Sequence, residues 1–141
     1  MRITIPTGCS SLDVLLMGGL AAGTLNLIYG EAETGKTTLT IQCAVNCGRM
    51  QLKTIFVDCD GSFSTQRLIQ IASEDYEEIA ENVILAKPEN FKQQSYLIDQ
   101  LEELVTKKVR LIAIDTVTSL YRTELAEKPK KVLVVGGGPA G

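Results

Sequence analysis

Apolar residues in this chain gather in five short runs, near residues 25–29, 53–57, 82–86, 109–114 and 131–135. The runs are rich in β-branched residues and do not alternate with polar ones, the pattern of strands buried on both faces of a parallel sheet. Between them the period changes to that of a helix. Thr37 to Val45 carries apolar residues at helical spacing, and Gly48 stands where a C′ residue is expected. Ser64 to Ala72 follows with Leu68, Ile69 and Ile71 apolar, then a short acidic helix from Glu74 to Glu81 whose charges predict a solvated face. Pro88-Glu89-Asn90 caps a long amphipathic helix, Phe91 to Lys107, with Leu97, Ile98, Leu101, Leu104 and Val105 as its apolar stripe. Thr116 to Glu127 reads as a loop and a short helix, broken by Lys128-Pro129-Lys130-Lys131. Alternating strands and helices predict an α/β fold: a three-layer sandwich with a mainly parallel five-stranded sheet, helices on both faces and right-handed crossovers.

Ahead of the first run, residues 5–16 predict a turn, a serine N-cap and a short helix with Leu12, Leu15 and Leu16 on one face, ending at Gly18-Gly19. The 141 residues are 45% hydrophobic and 22% charged with a formal charge of −3, which predicts one ordinary globular domain, 1–141, with no nucleic-acid footprint in its net charge. The apolar runs stop far short of a membrane span and the first residues lack a signal peptide's apolar core, so the expected location is cytoplasmic. Four cysteines, Cys9, Cys43, Cys47 and Cys59, come without a histidine and without a C-x₂-C pair, which argues against zinc. Cys43 and Cys47 lie one helical turn apart, a spacing open to a metal or a disulfide; buried thiols are the preferred reading, with all four reduced.

The chemistry starts at Gly30-Glu31-Ala32-Glu33-Thr34-Gly35-Lys36-Thr37, which meets every fixed position of the phosphate-binding pattern G-x-x-x-x-G-K-[ST]. A strand-like run leads in and a helix leads out. Glycines let the backbone wrap close to phosphates, amide N–H groups point at them, and the helix start presents its positive dipole end. Residues 30–38, Thr38 included, are therefore expected to bind a nucleoside triphosphate. Lys36 would reach the β- and γ-phosphates, and the Thr37 hydroxyl would ligate Mg²⁺. Two later strands end in carboxylates, at Asp58-Cys59-Asp60-Gly61 and at Asp115, on the sheet edge where α/β ligands bind. Asp115 is the candidate Mg²⁺ anchor.

Four segments in order carry a family resemblance: Pro6-Thr7-Gly8-Cys9-Ser10-Ser11-Leu12-Asp13 with Gly18-Gly19-Leu20; Ile28-Tyr29-Gly30; Phe56-Val57-Asp58-Cys59-Asp60-Gly61-Ser62-Phe63; and Ile114-Asp115-Thr116-Val117-Thr118-Ser119-Leu120-Tyr121-Arg122. Together they make residues 1–127 similar to the P-loop ATPase core of the RecA superfamily, and most to its archaeal RadB-type recombinase paralogues. Clock-protein and sporulation relatives share the lead-in but differ in the acidic segment. The resemblance implies a RecA-like P-loop NTPase topology, an ATP and Mg²⁺ cofactor pair, a link to DNA recombination and repair, and a family in which oligomers occur. Lys36 and Asp60 would be the catalytic residues. The family has a glutamate at the position of Asp60 to place the attacking water, and a carboxylate shorter by a methylene is expected to slow hydrolysis more than binding. Arg67 matches an arginine that packs near the adenine. DNA binding is expected to be weak or absent in this chain, because no aromatic residues are interleaved with the short lysine cluster.

Beyond residue 127 the resemblance stops. Lys131-Val132-Leu133-Val134-Val135-Gly136-Gly137-Gly138-Pro139-Ala140-Gly141 is similar instead to the first strand and glycine turn of a flavin or nicotinamide dinucleotide fold. A P-loop core joined to a Rossmann-like strand reads as a chimera, and a designed or chimeric protein that only binds phosphate or nucleotide is the alternative function. The helix and acidic residue of a dinucleotide site do not follow within the sequence, so a buried strand completing the sheet is the preferred reading of 131–135.

Overall fold

The structure, a computed structural model, describes residues 4–27, 35–105 and 108–127. Three of the five predicted strands form one parallel sheet: β3 (Lys53–Asp58), β4 (Val83–Ala86) and β5 (Val109–Asp115), in the order β4-β3-β5. β3 is central and buried along almost its whole length, as an uninterrupted apolar run requires. In register, Phe56 stands beside Leu85 on one side and Ala113 on the other, and Asp58 lies level with Asp115. The two strand-end carboxylates therefore emerge together.

Alternation along β3 divides the core in two. Phe56 faces α2 (Lys36–Arg49), α3 (Thr65–Ala72) and α4 (Tyr76–Glu81), packing with Ile41, Val45, Leu68 and Ile79. Its ring meets Phe63 edge-on at 4.9 Å. Ile55 and Val57 face the opposite layer, where Leu97 and Leu101 of α5 (Phe91–Leu104) and Leu120 of α6 (Ser119–Glu127) cover them. Helices on both faces of a parallel sheet make the three-layer α/β sandwich that alternating strands and helices predict.

Local chemistry sets the helix boundaries. Ser64 caps α3 by accepting from the Arg67 N–H at 3.1 Å, and Asn90 caps α5 by accepting from the Gln93 N–H at 2.9 Å. α2 does not stop at Gly48. It runs to Arg49, and Gly48 lies inside it because Ile79 of α4 packs so close that an added Cβ would stand 3.2 Å from the Ile79 methyl. Arg49 then reaches over to the carbonyls of Ile71 and Ala72 at the end of α3. A single 3₁₀ turn, Ser73–Asp75, links α3 to α4.

The lead-in differs from expectation. β1 (Thr4–Ile5) and β2 (Leu20–Ala21) form a small antiparallel ribbon, with α1 (Ser10–Leu15) between them. α1 has no serine cap: Cys9 is the N-cap and offers no side-chain bond. Asp13 braces the turn instead, Oδ1 accepting from the Thr7 N–H at 2.8 Å and the Thr7 hydroxyl at 2.7 Å, Oδ2 from the Gly8 N–H at 3.2 Å. Leu15 points to solvent, as do Ile69 of α3 and Ile98, Leu104 and Val105 at the far end of α5, so each predicted stripe is narrower than its spacing suggests. Residues 25–27 of the first predicted strand are irregular, and 28–29 lie outside the described residues. So does 131–135. Among the described residues, no helix is long and apolar enough to cross a membrane.

Candidate functional site

α2 starts where the phosphate-binding motif requires. Gly35 is its N-cap, in the left-handed region at φ 87°, a conformation glycine adopts without penalty. Gly35 offers no cap side chain to the first N–H groups of the helix, and N–H groups at a helix start suit an anion. Lys36 and Thr37 occupy its first turn; Gly30, Glu31, Ala32, Glu33 and Thr34 lie outside the described residues.

The parallel register carries Asp115 to the same place. The Thr37 hydroxyl donates to Asp115 Oδ2 at 2.8 Å, so the two residues expected to hold Mg²⁺ are in contact. Asp60 joins them through two residues that sequence reasoning missed. Ser62 Oγ lies 2.6 Å from Asp60 Oδ1, 3.0 Å from Asp115 Oδ2 and 3.3 Å from Thr37 Oγ1. Thr116 Oγ1 lies 2.9 Å from Asp60 Oδ2 and 3.0 Å from Asp115 Oδ1. The available signal for Ser62 was the Asp-x-Asp-Gly-Ser string, which favours a turn closed by carboxylate-to-backbone bonds. For Thr116 it was only its place beside the strand-end carboxylate.

Counting protons shows what this cluster suits. Three hydroxyls supply three protons to six close oxygen–oxygen pairs, so several lone pairs face one another unbridged. A small hard cation relieves that arrangement, and an all-oxygen set with two carboxylates is the donor chemistry of Mg²⁺, which keeps waters and shares its ligands with phosphate. Among the described residues no group of three or more His, Cys, Asp or Glu stands together as a metal site.

Asp58 builds the turn that presents Asp60. It is 2% exposed, and its carboxylate accepts from the N–H groups of Ser62 at 3.1 Å and Phe63 at 3.3 Å. Burial pushes its carboxyl up, and the N–H groups offset part of that rise. Arg67 reaches from α3 to α2, donating to the hydroxyl of Thr38, the residue after Thr37, at 2.5 Å.

The cysteines take no part. Cys43, Cys47 and Cys59 are buried and Cys9 is exposed, all as free thiols. Burial pushes the Cys43 thiol up to about 11 and the Cys59 thiol to about 12, where neighbouring Asp58 and Asp60 add to the effect.

Comparison with known proteins agrees with this geometry. The family model described as Rad51 matches residues 1–130. Proteins described as DNA repair and recombination protein RadB are similar over most of the chain: that of Thermococcus onnurineus is 41% identical over 127 residues, covering 88% of this chain and 55% of the relative. That of Archaeoglobus fulgidus is 39% identical over 134 residues (94% and 59%), and that of Methanococcoides burtonii 36% over 126 (89% and 56%). The chain thus spans little more than half the length of these relatives.

Proposed function

The chain belongs to the Rad51 family, and from that premise we propose that it is a RadB-like core that binds ATP with Mg²⁺ and hydrolyses it slowly, in the service of DNA recombination and repair. The observation that carries this reading is the 2.8 Å contact between Thr37, directly after the Gly-Lys pair of the phosphate motif, and Asp115 at the end of β5.

The roles follow from position. The N–H groups of the first turn of α2 and the Lys36 ammonium would hold the phosphates, Thr37 and Asp115 would hold the metal, and Arg67 would flank the adenine side. When bound, Mg²⁺ neutralises charge on the β- and γ-phosphate oxygens. Asp60, fixed by Ser62 and Thr116, orients the attacking water. DNA binding by these residues alone is weak, and the chain is cytoplasmic. A second reading, nucleotide binding without turnover, is favoured by one observation: both Asp60 oxygens are already engaged by hydroxyls.

Calorimetry of Mg²⁺-ATP binding tests the site. Lys36→Ala removes the side-chain cation nearest the phosphates and is expected to weaken affinity about 10–100-fold. Unchanged affinity would remove the site assignment.

A further inference from the structure

We propose that Gln94 of α5 is a positioning residue for the two carboxylates of the site: its amide holds the turn after β5 in the shape that places the Thr116 hydroxyl between Asp60 and Asp115. Resting on the Mg²⁺-ATP reading of that site, this role concerns turnover and not nucleotide affinity.

α5 buries one residue fully, and that residue is polar. Gln94 is 1% exposed; its N–H donates to the Asn90 carbonyl at 3.0 Å, in the turn that the Asn90 side chain caps. Its Nε2 donates to the Val117 carbonyl at 2.9 Å, and that partner decides which end of the amide points there, since only the NH₂ group can donate. Oε1 finds no partner among the described residues. An amide with one polar atom unmet is a costly way to fill a buried place, and methionine, of like length, would fill it without that cost. What the amide adds is the bond to Val117.

That bond completes a turn. The carbonyls of Thr116 and Thr118 are taken locally, by the Ser119 hydroxyl at 3.2 Å and the Arg122 N–H at 2.9 Å. The Val117 carbonyl between them is held from another element, 23 positions away. Thr116 opens the same turn, with its hydroxyl 2.9 Å from Asp60 Oδ2 and 3.0 Å from Asp115 Oδ1. Its backbone is therefore fixed by β5 on one side and through Val117 by Gln94 on the other. A hydroxyl that serves two carboxylates at once has to be set to within about 0.5 Å, and a support buried in the neighbouring helix does that. Phe91, one turn before Gln94, meets the ring of Tyr121 edge-on at 4.9 Å and braces α5 against α6 beside the bond.

NMR of the Thr116 side chain tests the role without nucleotide. The parent chain is expected to show a single Thr116 rotamer, and Gln94→Met to show rotamer averaging at Thr116 while the signals of Ile41 and Val45, in the opposite layer, stay unchanged. Averaging in the parent chain would overturn the proposal and needs no variant. A fixed Thr116 in a folded Gln94→Met chain would overturn it too. Single-turnover hydrolysis measured beside calorimetry supplies the second arm. Gln94→Met is expected to hydrolyse ATP about tenfold more slowly with affinity within about twofold of the parent. Gln94→Glu keeps the shape and, protonated by burial, an O–H for the Val117 carbonyl, so it is expected to recover most of the rate. Affinity that falls in step with the rate would make Gln94 a packing residue and overturn the proposal. A parent chain that binds no ATP would instead remove the reading of the site, and the Thr116 rotamer would still decide what Gln94 holds.

Discussion

Thr37 and Asp115 stand 78 positions apart in sequence and 2.8 Å apart in space, hydroxyl to carboxylate. Helix start and strand end meet there because β5 pairs in parallel with β3 and α2 packs across the sheet.

That contact makes the metal the sensitive variable. Thr37→Ala and Asp115→Asn are each expected to weaken the Mg²⁺ dependence of ATP binding about 10–100-fold while leaving metal-free binding nearly unchanged. Nucleotide titrations over a range of Mg²⁺ check this, with thermal melts alongside. An Asp115→Asn chain that no longer melts cooperatively would make Asp115 a structural residue instead.

Thiol chemistry should single out one residue. Cys43 and Cys59 sit far above the ordinary thiol range and burial raises Cys47 as well, whereas Cys9 is exposed. Brief iodoacetamide treatment of the folded chain at pH 8, read by mass spectrometry, is expected to add one label, on Cys9. Rapid labelling at Cys43 or Cys59 would mean that the core around α2 and β3 opens readily.

What could be read from the sequence tracks how much of each element is decided by its own residues. β3, β4 and β5 appear where uninterrupted apolar runs place them, and Thr37 and Asp115, both named from the sequence, stand in contact. The β1–β2 ribbon was not legible, because two-residue strands carry no periodicity. Leu15 and Ile69 carry helical spacing yet face solvent, since α1 buries none of its residues fully and α3 only Leu68 and Ala72. Ser62 and Thr116 enter the site through tertiary placement, which a one-dimensional pattern does not encode.

Asp13 predicts a pH dependence. Hydrogen bonds from the Thr7 hydroxyl, then from the Thr7 and Gly8 N–H groups, hold its carboxyl below the ordinary value. A lowered carboxyl stabilises the fold above its unfolded value, near 3.9, and that contribution is lost as pH falls through the folded value. Asp13→Asn is expected to melt below the parent at pH 7, with the gap closing towards pH 3. Asp58, raised by burial, acts with the opposite sign but is common to both chains and cancels in the comparison. A gap independent of pH would assign the effect to shape and not to charge.

Gly48 makes a packing prediction. Its missing Cβ leaves room for Ile79, with 3.2 Å to the nearest methyl carbon. Gly48→Val overfills that contact and is expected to cost about 1–3 kcal/mol, seen as a melting point lower by several degrees. Gly48→Ala is closer to neutral, because a helix-propensity gain of about 1 kcal/mol opposes the crowding. Equal melting of the parent and the valine variant would show that α2 and α4 have room to separate.

Asp60 decides between the two functional readings. Its carboxylate is held on one side by Ser62 and on the other by Thr116, both of which also touch Asp115. Asp60 and Asp115, the carboxylates proposed to orient water and to bind metal, are thus fixed relative to each other. If the short side chain limits turnover, Asp60→Glu extends the carboxylate by a methylene and is expected to raise the hydrolysis rate, by up to about 10²-fold, with ATP affinity unchanged. Thr116→Val, which removes the hydroxyl between the two carboxylates, is then expected to slow the Asp60→Glu chain. Single-turnover rates measured beside binding distinguish the cases. Identical rates for Asp60, Asp60→Glu and Asp60→Asn, at equal affinity, would leave a nucleotide-binding core in which this carboxylate does no chemistry.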